Sequence, residues 1–315
     1  MKKICIIIIG VLVCFLGCNK RDEQVVRIAY TPTLGPSQLY VGIAKGYFEE
    51  EGIKLEMSQF HGGAPDIVPA ILGKSVDIGF PVVPSLIMAR TNGVKIKSIG
   101  GCSFDSEHIL EHRIMLPIDS EIKTAQDLRG KKIAVLAEGT SDYFSLLNYL
   151  KTNGIKKEDV EIVSVPFTEM IFALTSKSVD AAASTEPFIT MGALEKKTKT
   201  FDYFYPIQDI EIVTAVAHED FINDNPEIIA KFSRAIDRAT NFINNEQEEF
   251  RKLLPTLGEY GIKFKISKEV ADSFTILGYK SSITPAGVEA VMDMMIENNV
   301  LKTKIDAEDI IYSPK

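Results

Sequence analysis

The chain has 315 residues, of which 45% are hydrophobic and 25% are charged. This is an ordinary globular composition, and the length suits two domains of common size or one large domain. The 43 acidic residues outnumber the 35 basic ones, giving a formal net charge of −8, so the surface argues against nucleic-acid binding and against membrane attachment through a basic patch.

The first 17 residues do not belong to a globular domain. Two lysines precede an unbroken apolar run that leads to Gly17, which is the layout of an export signal and is too short to span a bilayer comfortably. The sequence FLGC at residues 15–18 resembles the lipobox of bacterial lipoproteins, although Phe15 replaces the usual leucine. We predict a lipoprotein signal peptide over residues 1–17, a lipid such as palmitate on Cys18, and a polar tether over residues 18–25. An ordinary signal peptide is the alternative.

Cysteine usage fits export. Cys5 and Cys14 lie in the predicted signal, Cys18 is the predicted lipid site, and Cys102 is the remaining cysteine. A single thiol cannot form an intramolecular disulfide, so we expect the exported domain to be stabilised by its core alone.

The first half of the chain alternates between strand and helix patterns. Apolar residues recur with strand periodicity at 25–31, 53–58, 76–80 and 95–101, and with helical periodicity at 37–52, 65–75 and 84–93. Ser37 is a suitable N-cap for the first helix. Strands separated by helices of this length predict βαβ units and parallel pairing.

The same alternation returns after residue 130. Strands are predicted at 131–137, 160–165 and 179–185, separated by helices at 141–154 and 168–178. The last third differs, because a strand and a turn at 210–222 precede a long helix at 226–254 that Pro255 ends. Two shorter helices are predicted at 267–278 and 285–299.

Two segments of the chain match each other. The stretches that begin at Gly52 and Gly154 both open Gly-Ile-Lys, carry a phenylalanine after the strand and close with Lys-Ser-Val-Asp. One such match could arise from common α/β patterns, but several matches in register favour two lobes built to the same plan. No low-complexity linker separates the halves, so we expect ordered crossings near Arg113–Pro117 and Ile210–Ala217.

Five motifs, in this order and spacing, resemble those of a known family. They are GYFEEEGIKLEM, AILGKSVDIGF, TAQDLRGKKIAVL, ALTSKSVDAAAS and TEPF. They are similar to motifs of ABC-transporter solute-binding proteins of the nitrate, sulfonate and taurine group and of the related thiamine-pyrimidine-precursor binders. The resemblance covers nearly the whole chain from about Val26.

The resemblance implies a periplasmic binding protein type II fold. This fold is α/β, with two similar lobes of mixed, mainly parallel sheets joined by two hinge crossings, and a ligand cleft between them. Lobe 1 would comprise residues 26–112 and 213–315, and lobe 2 residues 113–212. The resemblance also implies a monomeric, non-enzymatic protein that captures a small molecule outside the cytoplasm. It would deliver this ligand to an ABC permease and ATPase while its lipid anchors it to the membrane.

Six loops are candidates for ligand contacts, because ligands of open α/β sheets bind beyond the carboxyl ends of the strands. They cover residues 31–38, 60–66, 80–85, 137–143, 166–170 and 184–188. The glycine pair at 62–63 offers backbone N–H groups to a ligand or simply permits a turn. The candidate ligand-binding residues are Ser37, Gln38, His61, Gly62, Gly63, Pro81, Val82, Thr140, Ser141, Tyr143, Phe167, Thr185 and Glu186.

Several polar candidates also have a purely structural interpretation. Thr140 and Ser141 are suitable helix caps, and Tyr143 could fill the core of its lobe. The carboxylate of Glu186 would be stabilised by a helix N-terminus without any ligand, and His61 could be a surface cap.

The charge of the loops bears on the class of ligand. None of the six loops contains arginine or lysine, whereas they contain five acidic residues: Asp66, Glu138, Asp142, Glu169 and Glu186. A sulfonate or nitrate site would benefit from an arginine fork, although backbone amides alone can hold an anion. We therefore predict a neutral, zwitterionic or amino-bearing ligand such as an aminopyrimidine-like ring. Flat walls for it are available in Tyr40, Tyr143, Phe60, Phe167 and Phe188.

Two other function classes stay open at this point. Pyrimidine synthases belong to the same superfamily, but the chain has no CxxC, HExxH, GxSxG or P-loop pattern and no evident nucleophile–base pair. His108 and His112 are four residues apart without an evident third ligand, so we predict no metal and no cofactor. The other class is a sensor lipoprotein working with a receptor; adjacent permease and ATPase genes would favour transport instead.

Overall fold

The computed structural model of the protein describes residues 24–105, 112–203, 210–263 and 265–313. The strands in these residues are β1 (Gln24–Tyr30), β2 (Ile53–Gln59), β3 (Ile78–Gly79), β4 (Ile96–Asp105), β5 (His112–Pro117), β6 (Lys132–Val135), β7 (Glu161–Ser164), β8 (Ala181–Thr185), β9 (Thr198–Tyr203), β10 (Ile210–His218) and β11 (Gly278–Lys280). The predicted signal peptide, the lipid site at Cys18 and His108 lie outside the described residues, so the interpretations that rest on them stay predictions.

Twelve α-helices occur in the described ranges. They are α1 (Ser37–Ala44), α2 (Tyr47–Glu50), α3 (Ala64–Leu72), α4 (Val83–Thr91), α5 (Ser141–Thr152), α6 (Phe167–Thr175), α7 (Phe188–Leu194), α8 (Glu219–Asp224), α9 (Pro226–Asn245), α10 (Gln247–Leu253), α11 (Lys268–Ser273) and α12 (Pro285–Glu297). Over the same ranges, no helix is long and apolar enough to cross a membrane.

The strands form two separate sheets. The first has the order β11-β4-β10-β3-β1-β2, and the second has the order β7-β6-β8-β5-β9. We call the first sheet with its helices the first lobe (residues 24–105, 210–263 and 265–313), and the second sheet with its helices the second lobe (residues 112–203). The predicted fold class, two α/β lobes with mixed sheets, is confirmed.

Both lobes contain the same arrangement of strands. β1 lies between β2 and β3 and is parallel to both, and β6 lies between β7 and β8 in the same way. An antiparallel strand follows β3 in one sheet (β10) and β8 in the other (β5). The sequence match between the stretches from Gly52 and Gly154 therefore reflects two copies of one βαβαβ unit.

Antiparallel pairing is more extensive than we predicted. The strands next to the passages between the sheets pair antiparallel with each other, β4 with β10 and β5 with β9. Arg113–Pro117 and Ile210–Ala217, where we predicted crossings, lie inside β5 and β10. The chain instead passes from one sheet to the other between Asp105 and His112 and between Tyr203 and Ile210. Strand periodicity does not distinguish a strand that crosses from one that pairs within a sheet.

Each sheet is covered by helices on both faces. Val26, Ile28 and Tyr30 of β1 pack in a cluster with α1 and α9, whereas Ala29, which points the other way, packs in a cluster with α3, α4 and α12. This alternation follows from the two-residue period of side chains along a strand. The buried strands hold the loops at their carboxyl ends in fixed positions.

Several predicted elements differ in extent. The strand from residue 210 ends at His218, whose ring accepts a hydrogen bond from the Asp220 amide and so starts α8 instead of a turn. The predicted helix over 226–254 is interrupted at Glu246, where the backbone is not helical. Residues 267–278 contain the short α11, which is followed by β11, and the sequence did not predict β9. The helix expected to begin at Glu186 is α7, which starts two residues later, at Phe188.

Candidate functional site

An enclosed cavity lies where loops from the two lobes meet. Its volume is about 30 Å³. Its walls come from the segments after β1, β2, β3, β6 and β7, from the end of β8, and from residues of β5 and β10. The lining residues are Thr31, Thr33, Pro36, Gly63, Ala64, Phe80, Val82, His112, Leu136, Thr140, Ser141, Asp142, Phe167, Thr185, Ile212 and Val213. The cavity thus occupies the position expected for a ligand of parallel α/β sheets.

The glycine pair of the first lobe brings the two lobes into contact. Gly63 has φ 71° and ψ −144°, a backbone region that is almost restricted to glycine. A Cβ atom on Gly63 would lie 2.8 Å from Cδ2 of Leu136 in the second lobe. The amide of the neighbouring Gly62 donates to Oδ2 of Asp66 at 3.1 Å. Gly62 therefore shapes the loop, and Gly63 allows the loop to approach the opposite lobe.

The loop that begins α5 forms the facing wall. The hydroxyl of Thr140, at the N-cap position, donates to the carbonyl of Ala137 at 2.5 Å instead of capping the helix. Ser141 Oγ lies 2.9 Å from Nε2 of His112, within hydrogen-bond distance. His112 is buried at the start of β5, so this contact joins the loop to its own sheet.

Asp142 places a buried carboxylate in the cavity wall. Its side chain is fully buried, and Oδ2 accepts a hydrogen bond from the Leu136 amide at 2.6 Å. Oδ1 is buried and has no hydrogen-bond partner among the residues that the structure describes. Burial raises the pKa of this carboxyl, against the opposing effects of the Thr140 hydroxyl, the His112 ring and the backbone amides.

Hydrogen bonds between described residues also connect the two lobes. Ser85 Oγ, in α4, donates to the carbonyl of Gly139 at 2.7 Å. Lys151 Nζ, in α5, donates to the carbonyl of Glu297 at the C-terminal end of α12, also at 2.7 Å. Together with the Gly63–Leu136 approach, these contacts place the lobes in a closed arrangement.

Six of the predicted site residues line the cavity. They come from both lobes and are Gly63, Val82, Thr140, Ser141, Phe167 and Thr185. His61 lies outside this set, in a small neighbouring cavity that also includes Phe167 and Phe188. The ring of Phe167 lines both cavities and stacks on Phe188, with 5.8 Å between the ring centroids.

Three first-lobe candidates besides Gly62 lie away from the cavity. Ser37 is buried and donates to the carbonyl of Leu34 at 2.6 Å. Gln38 is buried and donates through Nε2 to the Thr240 hydroxyl and to the carbonyl of Lys280. The carbonyl of Pro81 accepts from the Thr214 amide at 3.3 Å. Their partners are all within the first lobe.

Two second-lobe candidates also lie away from the cavity. Tyr143 packs in the core of its lobe, and its hydroxyl receives a hydrogen bond from Lys157 Nζ at 2.8 Å. Glu186 is fully buried and accepts from the amide and the hydroxyl of Thr190. Burial raises the pKa of Glu186, and the nearby charge of Arg113 opposes this rise.

Sequence reasoning missed part of the lining. Thr31, Thr33, Phe80 and Asp142 belong to the six selected loops, so the loop rule located them without singling them out as contacts. His112, Ile212 and Val213 lie in β5 and β10, which we had interpreted as crossings. The sequence also gave no sign of the Ser141–His112 pair, because its members are 29 residues apart. The information needed to locate these residues is the lateral order of the strands in the sheets, which the sequence pattern does not give.

The polar groups of the cavity are mainly hydroxyls. Thr31, Thr33, Thr140, Ser141 and Thr185 supply them, whereas the described residues of the lining include no lysine or arginine. The ionisable side chains of the lining are those of His112 and Asp142. Within the described part of the chain, no group of three or more His, Cys, Asp or Glu residues could hold a metal ion.

Comparisons with known proteins give consistent results. The NMT1/THI5-like family model matches residues 36–250. The taurine-binding periplasmic protein of Escherichia coli (strain K12) is 31% identical over 229 residues, which cover 70% of this chain and 67% of that protein. A formylaminopyrimidine-binding protein of Halalkalibacterium halodurans is 21% identical over 294 residues, covering 92% of this chain and 86% of that protein.

The comparisons also include an enzyme and a solved structure. A relative from Aspergillus parasiticus, named 4-amino-5-hydroxymethyl-2-methylpyrimidine phosphate synthase, is 26% identical over 250 residues, covering 72% of this chain and 69% of that protein. The alkanesulfonate-binding protein SsuA from Xanthomonas axonopodis pv. citri, solved with MOPS bound, has a TM-score of 0.77 at 16% identity. The match covers 92% of this chain and 99% of that one and shows a common fold.

Proposed function

Because the chain belongs to the NMT1/THI5-like family, we propose that it is an exported solute-binding protein that delivers a small organic ligand to an ABC importer. The observation that carries this proposal is the cavity enclosed by loops of both lobes. A ligand held there contacts both lobes and stabilises their closed arrangement, which a permease can recognise. The taurine-binding and formylaminopyrimidine-binding relatives support the same role.

The ligand is a small molecule that carries an amino group, such as an aminopyrimidine-like ring or a zwitterion. The absence of lysine and arginine from the cavity lining disfavours a simple sulfonate or nitrate. The aromatic rings of Phe80 and Phe167 provide apolar walls, and the hydroxyls provide hydrogen bonds.

The protein is held at the outer face of a membrane by a lipid on Cys18. The FLGC sequence and the polar stretch that follows it support this anchoring. A Cys18→Ser variant should not incorporate labelled palmitate and should be released from membranes, whereas the wild-type protein should fractionate with them. Wild-type protein that carries no lipid would contradict the anchor without affecting the binding role.

The role is binding and not catalysis. The Ser141–His112 contact resembles a nucleophile beside a base, and the synthase-named relative shows that enzymes occur among the similar proteins. The contact instead fixes the Ser141 hydroxyl toward the cavity. Prolonged incubation with the bound solute should leave its mass unchanged, and a new product mass would contradict this assignment.

Native mass spectrometry of the purified protein tests the binding role. A small solute of defined mass should remain bound under native conditions and disappear after denaturation. If the cavity is empty, a thermal-shift screen of sulfonates, pyrimidines and amino compounds should identify a solute that raises the unfolding temperature. The proposed function fails if no solute is bound and none of these compounds stabilises the protein.

A further inference from the structure

We propose that Asp142 determines ligand specificity, with its Oδ1 atom accepting a hydrogen bond from an amino or ammonium group of the bound solute. This inference rests on the proposed binding role and assigns one residue to the choice of ligand. The cavity would then admit solutes that carry an N–H donor and reject otherwise similar solutes that lack one.

The two carboxylate oxygens of Asp142 have different surroundings. Oδ2 accepts from the Leu136 amide and holds the loop between β6 and α5 in its folded shape. Oδ1 is buried and has no hydrogen-bond partner among the described residues, and Asp142 is one of the residues that line the cavity. A buried acceptor without a donor is destabilising. A ligand donor is therefore the partner that the folded protein itself does not supply.

The hydrogen bond from the Leu136 amide does not by itself require a carboxylate at position 142. An asparagine at position 142 could accept the same hydrogen bond from Leu136 through its single side-chain oxygen. The position at the start of α5 stabilises negative charge, but full burial opposes ionisation at this site. A second acceptor oxygen without a partner, on a residue that lines the cavity, is useful only if a donor enters the cavity.

The remaining walls do not offer a competing charge. Lysine and arginine do not occur among the lining residues, and the His112 ring is already within hydrogen-bond distance of Ser141. An anionic ligand would therefore enter beside a buried carboxyl group with no cationic side chain to hold it. An amine would meet an acceptor of suitable charge.

Matched pairs of probes test the proposal by calorimetry on purified protein. In each pair the members differ mainly by an amino group: taurine with ethanesulfonate, and 4-amino-2-methylpyrimidine with 2,4-dimethylpyrimidine. Bound solute is first removed by unfolding and refolding. Wild-type protein should bind the amino member of at least one pair about tenfold or more tightly than its partner, as expected for one charge-assisted hydrogen bond.

The variant Asp142→Asn should reduce this affinity about tenfold or more and remove the preference for the amino member. The matched control is Asp127→Asn. Asp127 also braces a loop, through hydrogen bonds from the amides of Lys123 and Thr124, but it does not line the cavity. The control should bind like wild type, and circular dichroism checks that both variants fold.

Three results would overturn the proposal. The first is equal binding of both members of every pair by wild-type protein, which can be measured even if the variant does not fold. The second is an Asp142→Asn variant that binds the amino member as tightly as wild type. The third is that neither amine binds. If ethanesulfonate then binds, the solute-binding role stands and only the role of Asp142 is refuted. If no probe binds and no solute co-purifies, both proposals are refuted.

Discussion

Replacement of Gly63 by alanine tests whether the glycine loop sets the approach of the two lobes. The backbone at Gly63 has φ 71° and ψ −144°, a region that costs about 1–3 kcal/mol for other residues. Alanine lowers the entropy of the unfolded chain, which offsets about 0.4–1 kcal/mol. The added Cβ would also lie 2.8 Å from Cδ2 of Leu136, which is itself buried. We expect a net loss of about 1–2 kcal/mol in the free energy of unfolding.

The control is Gly46→Ala, because Gly46 has the same φ of 71° but a ψ of 14°, and a Cβ there would meet no atom within 4 Å. This left-handed conformation costs alanine about 1 kcal/mol, most of which the entropy term offsets. Urea denaturation measures both losses, and calorimetry measures the affinity for the solute. Only Gly63→Ala should also weaken binding, by about tenfold, because its Cβ resists closure. Equal stability losses and unchanged affinity would refute this account of the loop.

Three further predictions follow from buried groups and from the contact between the lobes. Asp142→Asn should raise the unfolding temperature at neutral pH and have little effect below about pH 4. The reason is that burial raises the pKa of this carboxyl in the folded protein, so that only its ionised form destabilises the fold. The same change in unfolding temperature at both pH values would contradict this prediction. Glu211→Ala should lower the free energy of unfolding, measured in urea, by about 2 kcal/mol. The reason is that this buried carboxylate accepts hydrogen bonds from the amide and the hydroxyl of Thr284, which precedes α12. A variant as stable as wild type would show that Glu211 does not stabilise the start of α12. Lys151→Met removes the hydrogen bond to Glu297 and should increase the radius of gyration measured by small-angle X-ray scattering. The control Lys252→Met, at an exposed lysine, should leave the radius of gyration unchanged. Identical scattering curves for wild type and Lys151→Met would show that the contact does not help to hold the lobes closed.

The repeated unit of the fold could be predicted from the sequence because its signals are local. Each βαβ unit combines a run of strand residues, a helix and a closing Lys-Ser-Val-Asp motif within about 30 residues, and both copies form as expected. The loops at the carboxyl ends of these strands followed from the general rule for parallel sheets. This rule located Gly63, Thr140 and Ser141 on the cavity wall.

The remaining parts of the site depend on long-range pairing, which the sequence does not encode in a local pattern. His112 lines the cavity only because β5 pairs with β8, which places it opposite Thr185. Ile212 and Val213 line it because β10 lies between β3 and β4. Gln38 and Tyr143, in contrast, have polar or aromatic side chains suited to binding, but the turn of each helix directs them into their own lobes.

Two residues at this cavity depart from the local patterns that allowed much of the fold to be predicted. Gly63 adopts a backbone conformation that other residues avoid, and Asp142 buries a carboxyl oxygen that has no hydrogen-bond partner in the described part of the chain. Neither feature stabilises the folded chain. Both lie on the surface where the lobes meet, one permitting close approach and the other leaving an acceptor for an incoming donor. Exceptions of this kind are typical of functional sites, and their occurrence together supports the proposal that the closed cavity binds the solute.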